Sequence, residues 1–247
     1  MFEIATYSDI GGRERNEDTV RHVQRGPDRL CVVVADGLGG HGGGEQASQA
    51  AAEVICQSWD GCVDRDGLAD LIRAANRKVL SIQTRQCAMK TTVAALTLEP
   101  GRAVWAHAGD SRLYHFVDGK LAFQTRDHSA AQIGVMLGEI TVDQIRFHED
   151  RNRVLRALGQ DDELSVESRE ETLDPGRHAF LLCSDGFWEY VLEEEMAADL
   201  KAAADPLDWL IRMRARLSAR TPEDNDNNTA AAVWTEVPPA KSKSKRD

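Results

Sequence analysis

No two of the five cysteines, Cys31, Cys56, Cys62, Cys87 and Cys183, form a CxxC pair, and their number is odd. That argues against a zinc site and a disulfide framework, and fits a reducing compartment. No apolar run approaches the roughly 20 residues that span a bilayer. The N-terminal MFEIATYSDIGG lacks the basic and apolar blocks of a signal peptide, so a cytoplasmic protein is expected. Basic residues are also short: 30 Lys and Arg face 41 Asp and Glu, a formal net charge of −11. That balance repels nucleic acid and membrane surfaces, and neither is expected as a partner. The only basic block, AKSKSKRD, follows Pro238 and Pro239, and residues 238–247 read as a disordered, solvated tail. There is no internal repeat.

What remains is 247 residues, 42% hydrophobic and 29% charged, within the range of one large soluble domain. Its centre of gravity is LCVVVADGLGGHGGGE at 30–45. Leu30 to Ala35 is too short for a helical period and rich in valine, so it predicts a buried strand with Asp36 at its end. The glycines that follow let bare backbone approach an ion or phosphate. Helical spacing begins at Glu45 and again over 66–85, where Asp66 is placed as N-cap. Short β-rich runs at 91–98, 102–108, 112–117 and 120–125, broken by PG, GDS and DG, predict an antiparallel meander. Segment 127–159 reads as an insertion over the sheet, with amphipathic pieces at 130–137 and near 151–158. Further strands are predicted at 1–7, 19–24, 179–183 and 229–235, and helices at 192–203 and 206–219, with Pro206 in a first turn. Helix pairs separated from runs of strands indicate α+β, layered with helices outside packed sheets.

Three apolar strands end in an acid, at Asp36, Asp110 and Asp185, and Asp226 immediately precedes the last strand. Taken singly, each is ordinary turn chemistry. Together, converging at one sheet edge, four carboxylates would repel unless cations bridge them. Oxygen ligands without histidine or cysteine select Mg²⁺ or Mn²⁺ over zinc.

RERNED at 13–18, VVADGLGGH at 33–41, KTTVAAL at 90–96, AHAGDSRLY at 106–114, TRDHS at 125–129, RALG at 156–159, LLCSDGFWEYV at 181–191 and DNNT at 226–229 resemble, in order, the motif series of the metal-dependent PPM (type 2C) protein phosphatases. Each piece is weak alone; the ordered series is specific and covers residues 4–235. The resemblance implies a four-layer α-β-β-α sandwich over 1–237, two antiparallel sheets flanked by helix pairs, with 127–160 as the family's flap. It implies hydrolysis of phosphoserine and phosphothreonine by a metal-bridged water, with Mn²⁺ or Mg²⁺ as cofactor. Asp36 matches the acid that bridges two ions, and the Gly37 carbonyl joins it on one of them. Asp185 and Asp226 match the remaining ligands of the other. Glu17 and Asp18 match acids that hold metal-bound waters, and Asp110 matches the acid that forms a third metal site with Asp185 in bacterial members. Arg13 matches the phosphate-binding arginine, so Arg13 and Asp36 are the catalytic candidates; the alternative for Arg13 is a surface pair with Glu14 or Glu17.

Four positions depart from the series or leave a role open. Leu38 stands where animal members carry a histidine, and His41 is either the replacement acid or a loop histidine. Lys90 replaces a glycine before Thr91 and Thr92, which are expected to support the site from a buried strand. Arg13 follows Gly11 and Gly12 with one residue fewer than the commonest spacing. A structural role is expected for Asp127 and His128. The expected partners are phosphorylated proteins and a cognate bacterial Ser/Thr kinase, of the general type or of the type paired with type VI secretion. The competing readings are a non-catalytic PPM-fold binding module and a phosphatase of small phosphoesters.

Overall fold

A computed structural model of the chain describes residues 2–39 and 43–239. His41 and most of the 238–247 tail lie outside the described residues. Two five-stranded antiparallel sheets stack face to face. The first runs β1 (Phe2–Asp9), β12 (Asn228–Val237), β11 (Gly176–Cys183), β8 (Arg112–Val117) and β9 (Lys120–Gln124). The second runs β10 (Glu167–Thr172), β7 (Arg102–Ala108), β6 (Val93–Glu99), β3 (Leu30–Ala35) and β2 (Thr19–Gln24). Helices α1 (Gly43–Ser58) and α2 (Arg65–Ile82) cover the second sheet, and α5 (Glu193–Ala202) and α6 (Pro206–Ser218) cover the first. This is the expected four-layer α-β-β-α sandwich.

The layers explain the continuous apolar runs. On β3, Cys31 and Val33 pack toward α1 and α2, while Leu30, Val32 and Val34 pack between the sheets. On β11, Leu181 and Cys183 face the α5–α6 layer, and Phe180 and Leu182 face inward. A strand buried on both faces has no polar side to show, so the period of 2 disappears from its sequence.

Several expectations need correction. The predicted meander is two hairpins in different sheets: β6 pairs with β7, and β8 pairs with β9. The chain changes sheets at 109–111, through Gly109 at φ 115°, where an added Cβ would lie 2.6 Å from the Thr92 side chain. The cap of α2 is Asp64, whose Oδ1 accepts from Gly67 N at 2.8 Å; Asp66 sits in the first turn. The run 91–98 is split into β5 (Lys90–Thr91), paired with β4 (Gly37–Leu38), and β6. In the 127–160 segment α3 forms at Ala130–Leu137 as predicted. No helix forms near 151–158, because Val154 bridges Ser129 and Leu158 bridges Thr91. Among the described residues no helix is long and apolar enough to cross a membrane.

Candidate metal centre

Asp36 leaves β3 where the chain must turn sharply into β4, and neighbouring backbone fixes it. Thr92 N donates to Asp36 O at 2.8 Å, Thr91 Oγ1 donates to the same oxygen at 2.8 Å, and Asp36 N donates to Thr92 Oγ1 at 3.1 Å. The two threonines thus clamp the main chain of Asp36 and leave its carboxylate oxygens to other partners. Gly37 is required by crowding: a Cβ there would lie 2.4 Å from Gly44 O and 2.5 Å from Glu17 O.

Asp185 opens the short helix α4 (Asp185–Trp188), and its Oδ1 accepts from Gly186 N at 2.6 Å. Asp226 precedes β12, with Oδ1 taking Asn227 N at 2.8 Å and Oδ2 taking Arg13 Nη2 at 2.9 Å. Asp18 is buried, and its Oδ2 accepts from Ser184 Oγ at 2.7 Å. Asp110 is buried at the sheet crossing. The fold therefore brings Asp36, Asp110, Asp185 and Asp226, the four acids of the strand-end pattern, close enough for their charges to bear on one another, with Asp18 among them. Glu17 lies beside them, its carboxylate next to Gly44 at the start of α1, where an added Cβ would lie 2.6 Å from Glu17 Oε2.

Their titration records the crowding. Burial, then the charges of Asp185, Asp18, Asp110 and Asp226, hold the Asp36 carboxyl well above the usual range. Burial and Asp185 do the same to Asp110. Asp18 is pushed up to about 7 and Asp185 to about 6, in each case chiefly by burial. The charges of Asp36 and Asp185 bear on one another, and two carboxylates this close repel unless a proton or a cation lies between them. Asp18 Oδ1 and Asp110 Oδ1 are buried with no hydrogen-bond partner. An all-oxygen set with orphaned carboxylate oxygens on Asp18 and Asp110 fits a hard divalent cation.

Arg13 reaches the acids despite its shortened spacing, and its partner is Asp226, neither Glu14 nor Glu17. Leu38 pairs with Lys90 in the β4–β5 ribbon, which places the lysine at the rim of the Asp36 turn. Asp127 is bound by Arg112 through two hydrogen bonds of 2.8 and 2.7 Å, as a structural acid would be. His128 Nδ1 accepts from Gly109 N at 3.1 Å.

Three contributors were not assigned from sequence. Asn227 takes Glu17 N at 2.8 Å and donates to Ile10 O and Arg15 O at 2.7 and 2.9 Å, which pins the Arg13 loop. Ser184 ties Asp18 to β12 by accepting Thr229 N at 3.0 Å. Glu189, one turn beyond Asp185, is pushed up to about 7 by burial and by Asp185, and accepts Arg151 Nε at 2.9 Å. The motifs DNNT and LLCSDGFWEYV contain all three, but only the long-range contacts reveal what they hold.

Known proteins resemble the chain in sequence and fold. The chain is 29% identical over 246 residues to the protein phosphatase PhpP of Streptococcus pneumoniae, covering 94% of this chain and 97% of that protein. Its fold is similar to the catalytic domain of the serine/threonine protein phosphatase PstP in complex with two manganese ions, with a TM-score of 0.77 and 28% identity over 96% of this chain and 97% of that one. It is also similar to PppA, a key regulatory component of T6SS in Pseudomonas aeruginosa, with a TM-score of 0.74 and 26% identity over 95% and 97% of the two chains. Residues 7–224, which carry every acid of the cluster except Asp226, match the sequence pattern of protein phosphatase 2C, and the chain belongs to that family.

Proposed function

We propose that the chain hydrolyses phosphoserine and phosphothreonine in proteins, using two Mn²⁺ or Mg²⁺ ions and a third at Asp110. The observation that carries this reading is the convergence of buried Asp18 and Asp110, each with a carboxylate oxygen left unpartnered, with part-buried Asp36, Asp185 and Asp226 at one sheet edge. Asp36, the Gly37 carbonyl, Asp185 and Asp226 would hold the two ions, with Glu17 and Asp18 placed to hold water beside them, and Asp110 with Asp185 would hold the third. When bound, a divalent pair of this kind lowers the pKa of a shared water to near neutrality and so supplies the nucleophile.

The chain's own residues do the rest. Thr91 and Thr92 hold Asp36 from the main chain, so its carboxylate is preorganised rather than recruited. The Arg13 side chain is 54% exposed and its partner Asp226 41% exposed, so the guanidinium is free to exchange that carboxylate for two phosphoryl oxygens. There it neutralises charge that develops in the transition state. Asn227 fixes the distance from this loop to Asp226.

Residues 1–237 are the phosphatase domain in this reading, and 127–160 its flap. The enzyme acts in the cytoplasm on phosphoproteins and opposes a Ser/Thr kinase. Similarity to PppA supports a kinase of the type VI secretion system as that opponent. A non-catalytic module would not need to keep Asp36, Asp185 and Asp226 together. The deciding experiment is hydrolysis of a phosphothreonine peptide with Mn²⁺, with EDTA, and by Asp185→Asn. Metal-dependent turnover lost in the variant is expected; a folded, metal-bound protein with no turnover would refute the enzyme and leave the binding module.

A further inference from the structure

The sheet crossing at 109–111 is pinned residue by residue. Gly109 donates its N–H to His128 Nδ1 at 3.1 Å, and its carbonyl accepts His128 N at 2.9 Å. Ser111 Oγ lies 2.7 Å from Thr92 Oγ1. Between them, the main-chain carbonyl of Asp110 accepts the indole N–H of Trp188 at 2.9 Å, in a fully buried contact. The Asp110 carboxylate itself has an unpartnered Oδ1. No hydrogen bond holds that oxygen, and the main chain that carries it is held at Asp110 itself by Trp188.

Trp188 is in turn held by charge. The Arg112 guanidinium lies 3.4 Å above the indole ring, and Arg146 stands 5.6 Å from it. Arg112 is buried and bonded in bidentate fashion to buried Asp127, the first residue of the 127–160 segment. Arg146, from the 3-10 turn Val142–Phe147, bonds Glu193 at the start of α5. Trp188 itself closes α4, the helix that Asp185 opens. One indole thus connects both acids of the proposed third site with the segment that folds over the sheet.

We propose that Trp188 is a positioning residue for the metal site formed by Asp110 and Asp185: its N–H fixes the Asp110 carbonyl, and the Arg112–Asp127 pair fixes the indole. The inference rests on the metal-centre reading above. Removal of an outer hydrogen-bond partner of a ligand costs about 10–100-fold in metal affinity. Substitution Trp188→Phe keeps a ring for Arg112 to stack on and deletes only the N–H donor, so it isolates the bond.

The test uses calorimetric Mn²⁺ titration together with ¹H–¹⁵N spectra of the five indole groups during Mg²⁺ titration. The Trp188 cross-peak is assigned by its loss in Trp188→Phe. In the wild type it should move with the weakest class of binding, and in Asp110→Asn that movement should vanish. Trp188→Phe should weaken the weakest Mn²⁺ class about tenfold or more and leave the tighter class unchanged. In the Asp110→Asn background it should have no further effect on binding. Thermal unfolding of each variant separates a folding loss, and Asp127→Asn, which keeps hydrogen-bonding capacity to Arg112, is expected to show a smaller weakening of the same class. A Trp188 cross-peak that stays still while the weak class fills, or Trp188→Phe with wild-type affinity there, overturns the inference and leaves the metal centre intact. A wild type that binds no divalent ion overturns the metal centre itself.

Discussion

Substitution Arg13→Ala separates a structural from a catalytic role for that arginine. In the structure Arg13 pairs with Asp226 at 2.9 Å, with side chains 54% and 41% exposed. An exposed pair of this kind contributes about 0–1 kcal/mol, so the unfolding midpoint should fall by no more than about 4 °C for a chain of this length. Against substrate, the same guanidinium makes two charge-assisted hydrogen bonds, each worth about 1.5–3 kcal/mol. Their joint loss of about 3–6 kcal/mol corresponds to roughly 10²–10⁴ in kcat/KM. Arg13→Lys retains the charge without the fork and should fall between the two. The assay is phosphothreonine-peptide hydrolysis at saturating Mn²⁺, with Mn²⁺ affinity measured alongside. Because Arg13 competes with cations for Asp226, the alanine variant should bind Mn²⁺ as well as the wild type or better. A kcat/KM within threefold of wild type would show that Arg13 is only the counter-ion of Asp226, and the phosphate role would fall.

Divalent ions should stabilise the fold strongly. At 100 times the dissociation constant one site adds about 2.7 kcal/mol, which is roughly 5–11 °C in the unfolding midpoint at this size; Mn²⁺ added to EDTA-treated protein should show this, and Asp185→Asn should lose most of it. Gly37→Ala forces a Cβ to within 2.4 Å of Gly44 O, so a denaturant titration should read a loss of about 3 kcal/mol or more; an unchanged midpoint would deny the crowding. Burial and the neighbouring His178 and Arg169 hold His115 down to about 4. The folded state therefore binds fewer protons than the unfolded one, and stability is lost as pH falls from about 6.5 toward 4. Between pH 6.5 and 5 this costs about 2 kcal/mol. His115→Phe should remove that increment from the acid limb, read as the difference between variant and wild type; parallel curves would place the titration elsewhere.

The sequence was legible where a strand is buried on both faces and illegible where it is not. β3 and β11 appear as unbroken apolar runs because their alternate residues feed two different cores. β10, ESREET, lies at a sheet edge and is mostly polar, held to the body in part by Arg102 Nε on Glu170 at 2.9 Å. Nothing local marks it as a strand, and it was missed. The stretch 151–158 reads as amphipathic, and its Val154 and Leu158 are used in bridges to Ser129 and Thr91. Tertiary pairing overrode the local pattern there. The acids of the site were legible because strand ends share an edge whatever the loop lengths. Their supports were not: Ser184 bonds Asp18 across 166 residues and Asn227 bonds Glu17 across 210. No window of sequence contains such a pair.

The contrast between Asp127 and its neighbours is the strongest argument that the acid cluster exists for a ligand. Asp127 is as buried as Asp110, and the fold gives it a bidentate guanidinium at 2.7 and 2.8 Å. That is how a buried carboxylate is satisfied when its task is to hold the structure. Asp18, Asp36, Asp110 and Asp185 have no salt-bridge partner among the described residues, although Arg112 and Arg146 are packed against the Trp188 ring, whose N–H holds the Asp110 carbonyl. Guanidinium groups are thus available nearby and are directed elsewhere. The cluster's only arginine pair is at Asp226, its half-exposed member, where water makes exchange easy. Leaving the buried Asp18 and Asp110 carboxylates short of countercharge beside two part-buried ones destabilises a fold by several kcal/mol, a cost that a structural role does not require. A divalent cation supplies the missing charge, and it fits the oxygen atoms that the protein leaves bare.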